Sequence, residues 1–115
     1  MRYTIRMIDL KQLQADVMQN KVDKGFNTTD IAVEFCHAHE ELSEAFHKYN
    51  KNEDGVAEEL ADVAIFLLGM CAILGYDLEG ELVKKIEKNK NRMYQKTKSP
   101  DGKDVFMRVK TPLDP

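Results

Sequence analysis

Apolar residues recur every three or four positions along most of the chain, which is the period of an amphipathic helix. The first such segment begins at Asp9, a residue type that caps helix starts, and stops before Gly25, which can end a helix in the left-handed conformation. We therefore predict a first helix from about Asp9 to Lys24. Its apolar face carries Leu10, Leu13 and Val17.

Three further helices are predicted after a connector rich in capping residues. They run from near Thr29 to Tyr49, from near Asp54 to Gly75, and from about Leu78 to Gln95. The second has an apolar face made of Ile31, Phe35, Ala38, Leu42, Ala45 and Tyr49.

The third predicted helix is almost wholly apolar from Leu60 to Leu74, and Asp62 is the one charge in that run. The run has fifteen residues, whereas a bilayer-spanning helix needs about 20. We therefore interpret it as a buried core helix and expect no membrane association. A helix that is apolar nearly all round must be covered on several sides. Four helices do this only partly, so we expect a homodimer or a homotetramer.

The predicted fold class is all-α. We expect an antiparallel four-helix core over residues 1–96, completed by oligomerisation, with a short extended C-terminal arm or small hairpin over residues 97–115. Residues 99–102 read Ser-Pro-Asp-Gly, which is a turn signal, and residues 105–109 alternate as a short strand would. Residues 3–7 have a similar extended character.

Composition narrows the function classes. The chain has 115 residues with 17 basic and 20 acidic side chains, a net charge of −3. This balance argues against binding to a nucleic-acid polymer. The N-terminus has charges where a signal peptide would be apolar, so we expect a cytoplasmic protein. Cys36 and Cys71 then fit small buried residues in a reducing compartment.

Acidic residues form pairs on two successive predicted helices. Glu41 and Glu44 share one helix face, and Glu59 and Asp62 repeat the same spacing on the next helix. Because a short loop joins these helices, we expect them to pack antiparallel with the acidic pairs facing each other. Facing carboxylates repel unless they are protonated or hold a hard divalent cation, for which oxygen ligands select Mg²⁺, Mn²⁺ or Ca²⁺. Such a cation would assist the attack of water on a phosphate ester or anhydride.

A basic stripe lies on the fourth predicted helix. Lys85, Lys88 and Arg92 recur at helical spacing, and Asn89 falls on the apolar side. One interpretation is a solvated face that complements the helix dipole. The other is that Lys88 and Arg92 hold phosphate oxygens, with the arginine using its planar fork.

The acidic pattern E-E-x-x-E followed by E-x-x-D resembles the MazG-like all-α nucleoside triphosphate pyrophosphohydrolases, a superfamily that includes dimeric dUTPases and dCTP pyrophosphatases. It reads EELSE at residues 40–44 and ELAD at residues 59–62, and EKNKNR at residues 87–92 resembles the end of the family's last core helix. The resemblance extends from about Phe26 to Tyr94. The family often has glycine where Ser43 stands, and residues after Lys96 do not match its pattern.

The resemblance implies Mg²⁺-dependent cleavage of a (deoxy)nucleoside triphosphate to the monophosphate and pyrophosphate, with Mn²⁺ as an alternative ion and nucleotide-pool housecleaning as the role. By motif match, Glu40 and Glu41 would be catalytic, with Glu40 assisting the attacking water. The remaining roles would be metal binding by Glu41, Glu44, Glu59 and Asp62, and phosphate binding by Lys88, Asn89 and Arg92.

Two other readings stay open. Glu44 and His47 make one Glu-x-x-His pair of the kind found in di-iron bundles, but the second pair is missing because Asp62 stands where a histidine would be needed. The second reading is a non-catalytic helical dimerisation or regulatory module, whose acids form salt bridges to Lys88 and Arg92. Asp62 would in that case be a buried salt-bridge partner.

Overall fold

The computed structural model describes residues 7–110, so the predicted extended segment at residues 3–7 lies almost wholly outside the described residues. The chain is mostly helical and divides into two units, residues 1–79 and residues 80–115. The elements are α1 (Leu10–Lys24), α2 (Ile31–Asn50), α3 (Val56–Leu74), α4 (Leu78–Lys90), β1 (Met93–Lys98) and β2 (Asp104–Val109). No helix within residues 7–110 is long and apolar enough to cross a membrane.

The start and end of α1 confirm the capping prediction. The Asp9 carboxylate accepts a hydrogen bond from the backbone N–H of Gln12 at 3.1 Å, which satisfies one of the free donors of the first turn. Gly25 follows the helix with φ 71°, a left-handed conformation that costs a glycine little. Helix α2 begins two residues later than predicted, because Asp30 supplies the capping carboxylate for Val33.

Helix α3 packs between α1 and α2 in the first unit. Lys48, near the end of α2, contacts Glu59, near the start of α3. His37, earlier on α2, stacks on Phe66, later on α3. These contacts show that α2 and α3 run antiparallel, as the short loop between them predicts.

The apolar face predicted for α2 is buried only in part. Two of its members, Ala38 and Ala45, are buried as predicted. Three of its large members are at least half exposed in the single chain, namely Phe35, Leu42 and Tyr49, while Ile31 is half-buried. Periodicity gives the residues that share a face, but small side chains decide where two backbones approach.

The prediction that Cys36 is buried is wrong, because Cys36 is exposed, while Cys71 is half-buried. Both cysteines are free. Cys36 lies on α2 next to the exposed Phe35, so its apolar neighbours in sequence do not report burial in space. Partial burial raises the pKa of the Cys71 thiol above its ordinary value, which keeps that thiol protonated.

The second unit contains a hairpin where the sequence predicts the end of a helix. Helix α4 ends at Lys90 instead of Gln95, and the following residues form β1. Strand β1 pairs antiparallel with β2, from Met93 opposite Val109 to Lys98 opposite Asp104. The ladder hydrogen bonds to β2 replace the helical bonds that would have continued α4, so pairing with a distant segment overrides local periodicity.

A buried ion pair joins α1 to α2. The ammonium of Lys21 donates to the carboxylate of Glu34, and their side chains are 11% and 3% exposed. Lys21 reaches Glu34 by passing over Gly69 on α3, where an added Cβ would lie 3.2 Å from the lysine Cε. The glycine at that position of α3 therefore leaves room for the lysine side chain.

We expect Lys21→Met to lower the free energy of unfolding by about 3–5 kcal/mol, because it leaves the Glu34 carboxylate buried without a counter-charge. The double variant Lys21→Met/Glu34→Leu should recover most of that loss, because it removes both charges together. Urea unfolding followed by circular dichroism measures both effects. A double variant as unstable as the single one would contradict this account.

Candidate metal centre

The antiparallel packing of α2 on α3 determines which acidic side chains meet. Glu41 and Glu44 lie one turn apart on α2, and Glu59 lies in the first turn of α3. The connecting loop is short, and the backbone N–H of Glu53 donates to the Lys48 carbonyl at 2.9 Å. The C-terminal half of α2 and the N-terminal turn of α3 are therefore neighbours.

Three carboxylates converge at this contact. Glu41, Glu44 and Glu59 each offer one oxygen atom, and the three oxygens lie within 4.8 Å of one another. Glu44 is exposed, while Glu41 and Glu59 are half-buried. The cluster therefore has a solvent-accessible side and a side closed by the two helices.

The carboxylates affect each other's protonation. Burial raises the pKa of Glu41 above its ordinary value, and a hydrogen bond with Glu59 and the charges of Glu44 and Asp62 raise it further. The hydrogen bond from Lys48 lowers the pKa of Glu59 below its ordinary value. The cluster therefore combines Glu59, whose ionised form is favoured, with Glu41, whose ionised form is disfavoured.

Glu59 has two oxygens with different surroundings. Oε1 accepts a hydrogen bond from Lys48 Nζ at 2.8 Å. Oε2 is buried and has no hydrogen-bond partner among the described residues when the neighbouring carboxylates are ionised. A buried oxygen without a donor is costly, and a divalent cation would satisfy it. The donor set, all carboxylate oxygens, fits Mg²⁺ or Mn²⁺.

Asp62 and Glu40 lie outside this group of three. Asp62 is half-buried one turn after Glu59, and its negative charge contributes to the raised pKa of Glu41. Glu40 is exposed, and its Oε2 lies 3.5 Å from Nδ1 of His37, one turn earlier on α2.

The predicted phosphate-binding residues lie at the end of α4 in the second unit. Arg92 Nη1 donates to Asn89 Oδ1 at 2.9 Å. The charge of Arg92 lowers the pKa of Lys85 below its ordinary value, with burial and the charges of Lys88 and Arg108 adding to the effect. Four cationic side chains therefore interact electrostatically in the second unit, and they are those of Lys85, Lys88, Arg92 and Arg108.

The pairing register also shows how Arg108 joins this basic group. Arg108 lies directly opposite Tyr94, two residues after Arg92. The sequence predicts Lys85, Lys88 and Arg92 from helical spacing, but it gives no signal for Arg108 because the hairpin register is needed.

A small cavity of about 230 Å³ lies between α2 and α3 and is another feature that the sequence does not assign. The His37 and Phe66 rings stack with centroids 5.7 Å apart and planes 28° apart. His37 lies four residues before Glu41 on α2, and Phe66 lies four residues after Asp62 on α3, so the cavity is about one turn from the carboxylates. It is lined by Phe26, Asn27, Glu34, His37 and Phe66.

The raised pKa of Glu41 predicts how pH affects the metal-free protein. The folded state holds this proton more tightly than the unfolded chain, where the ordinary value is 4.5. The contribution of Glu41 to the free energy of unfolding is therefore fully present below pH 4.5 and is lost as the pH rises through the folded-state pKa. Glu41→Gln should abolish that loss and make the metal-free protein more stable than wild type at neutral pH.

Urea unfolding in EDTA across this pH range measures the effect of Glu41→Gln. Glu53→Gln is the matched control, because Glu53 is exposed in the loop and lies outside the cluster. A Glu41→Gln variant that is less stable than wild type at neutral pH, or that keeps the wild-type pH slope, would contradict the assigned repulsion.

Comparison with family models places the chain beside known proteins. A family model described as the MazG-like family matches residues 30–104, a segment that contains the predicted metal-binding and phosphate-binding residues. No curated protein and no solved structure matches the chain. The match covers more than half of the chain and agrees with the resemblance seen in its motifs. On this ground the chain belongs to the MazG-like family.

Proposed function

We propose that the protein is a Mg²⁺-dependent nucleoside triphosphate pyrophosphohydrolase that forms a nucleoside monophosphate and pyrophosphate. Membership of the MazG-like family suggests a nucleotide pyrophosphohydrolase type of function. The observation that carries the proposal is the convergence of carboxylate oxygens from Glu41, Glu44 and Glu59 within 4.8 Å. The buried Oε2 of Glu59, which has no hydrogen-bond donor among the described residues when its neighbours are ionised, also supports it.

The proposed metal ligands are Glu41, Glu44, Glu59 and Asp62. A divalent ion held there would neutralise phosphate charge and lower the pKa of an attacking water. Glu41 and Glu44 approach from α2 while Glu59 and Asp62 approach from α3, so both helices are needed to build the site.

The chain's own side chains would position the substrate and move the proton. Glu40 is an exposed carboxylate next to the cluster in sequence, and its proposed role is to orient the water and accept its proton. Lys88 and Arg92 would bind phosphate oxygens, and Asn89, which accepts from Arg92 at 2.9 Å, would orient the guanidinium.

The aromatic cavity beside the carboxylates is the proposed nucleobase site. Stacked rings and a polar edge suit a flat heterocycle. His37 and Phe66 supply the rings, and the amide of Asn27 supplies donors and an acceptor at the lining. The residues that line this cavity would determine which base and sugar are preferred. A panel of canonical, deoxy and damaged nucleotides, each assayed for hydrolysis, measures that preference.

A second copy of the chain is the proposed cover for the exposed apolar face of α2. Leu42 and Phe46 are 51% and 61% exposed in the single chain. Large apolar side chains repeated along one helix face usually mark a protein–protein contact. A homodimer or homotetramer would bury this face.

We expect Glu41→Gln and Asp62→Asn each to reduce Mg²⁺-dependent pyrophosphate release by at least about 100-fold, since each removes the negative charge of a proposed metal ligand. Helical content should not change. Pyrophosphate detection and far-ultraviolet circular dichroism measure the two properties, with Glu53→Gln as the control variant. Near wild-type activity in both variants would refute the assignment.

The ion pair between Lys48 and Glu59 favours one alternative, a non-catalytic helical module held by salt bridges. This module needs no metal, so its thermal stability would respond only to ionic strength. An enzyme with the proposed metal centre is stabilised by Mg²⁺ through linkage, and Glu41→Gln should remove that response.

The proposed interface predicts the effect of a charge on α2. Leu42→Glu and Phe46→Glu should convert an oligomer into monomers, because a charge placed in an apolar contact is left without a partner. Light scattering after size exclusion measures the mass. A wild-type chain that is monomeric at all accessible concentrations would overturn the proposed interface without affecting the metal centre.

A further inference from the structure

Lys48 connects the last turn of α2 to the first turn of α3 at the carboxylate cluster. Its Nζ donates to Glu59 Oε1 at 2.8 Å, and the two side chains are 34% and 14% exposed. The pair is therefore partly shielded from water, and the carboxylate is more shielded than the ammonium. Sequence reasoning gives no role to Lys48.

The backbone around Lys48 leaves room for the ammonium beside Glu59. The carbonyl of Lys48 accepts from the backbone N–H of Glu53 at 2.9 Å, which fixes the end of α2 to the loop. Gly55 precedes α3 with φ 97°, and an added Cβ there would lie 3.2 Å from the lysine Nζ. A glycine at this position therefore leaves the space that the ammonium occupies.

The bond to Lys48 makes the two oxygens of Glu59 unequal. A carboxylate held at Oε1 cannot rotate freely, so the identity of the buried oxygen is fixed. That buried oxygen is Oε2, which has no hydrogen-bond donor among the described residues when the neighbouring carboxylates are ionised. It is the oxygen left available to a cation shared with Glu41 and Glu44.

We propose that Lys48 is a positioning residue of the metal centre, which anchors Oε1 of Glu59 so that Oε2 is presented to a divalent ion. This inference rests on the proposed function, because it assumes that the cluster binds Mg²⁺ or Mn²⁺. Lys48 itself touches neither metal nor substrate in this role.

Two effects of the lysine on metal affinity have opposite signs, and their sizes decide the expected result. The ammonium repels a nearby cation, but Lys48 is one-third exposed, so water and salt screen this repulsion. Removing a side chain that orients a metal ligand typically weakens metal binding about 10–100-fold. The loss of orientation therefore exceeds the relief of repulsion.

The test is calorimetric titration of the full chain with MgCl₂ or MnCl₂ alone, without nucleotide. Lys48→Met should raise the metal Kd about 10-fold or more, and Lys48→Arg, which keeps a donor for Oε1, should restore most of the affinity. Lys11→Met is the matched control, since Lys11 lies 3.8 Å from Asp77 in an exposed ion pair outside the cluster. It should bind metal like wild type.

Each outcome decides between this inference and the proposed function. If wild type binds metal and Lys48→Met binds it as tightly or more tightly, the positioning role is overturned and the metal centre stands. If the ion pair has only a structural role, its loss in Lys48→Met lowers the melting temperature of the metal-free protein and leaves the metal Kd unchanged. That outcome also overturns the positioning role. If wild type binds neither ion, the metal centre fails and the role of Lys48 fails with it.

Circular dichroism establishes that the variants are folded before the titration. If Lys48→Met does not fold, Lys48→Gln takes its place, because the amide is neutral and too short to reach Oε1 in the same way. A wild-type Kd in Lys48→Gln would likewise overturn the proposal.

Discussion

The close approach of α2 to α3 is the constraint on which the candidate site depends. Ala38 and Ala45 are the buried apolar residues of α2 and permit this approach, because neither has a side chain long enough to separate the helices. The consequence is electrostatic. Glu41 and Glu44 lie one turn apart on the same helix, so the contact that buries the alanines also brings their carboxylates to Glu59 and produces repulsion.

Two lysines form ion pairs with acidic residues of α2 and α3, and the two pairs differ in burial. Lys21 pairs with Glu34 deep between α1 and α2, where the pair is nearly inaccessible to water. Lys48 pairs with Glu59 at the partly exposed end of the cluster. The first pair determines how α1 is held against α2 and α3, because a lone charge there is costly. The second leaves one carboxylate oxygen unsatisfied, which suits a site that binds and releases a cation.

Family membership and the local chemistry of the carboxylate cluster support the same proposed function on separate grounds. The family model covers residues 30–104 and says which kind of protein this is. The geometry says which atoms converge, and it adds features that the motif does not contain: the anchored Glu59, the stacked His37 and Phe66, and the contribution of Arg108 to a basic group. A motif names residue types at a spacing, whereas affinity and specificity depend on the surroundings of those residues.

The sequence by itself determined the four helices, most of their ends and the acidic pairs, because 3.6-residue periodicity, capping residues and i, i+3 spacing are local properties. It did not determine that the large side chains of the apolar face of α2 are exposed in the single chain, where α4 stops, or that Cys36 is exposed. Those depend on backbone approach at the alanines and on strand pairing between residues 93–98 and 104–109. The ion pairs of Lys21 and Lys48 also came only from the tertiary structure, because each partner lies eleven or more residues away. The position of a charged residue in the sequence does not identify the residue that it contacts in the folded chain.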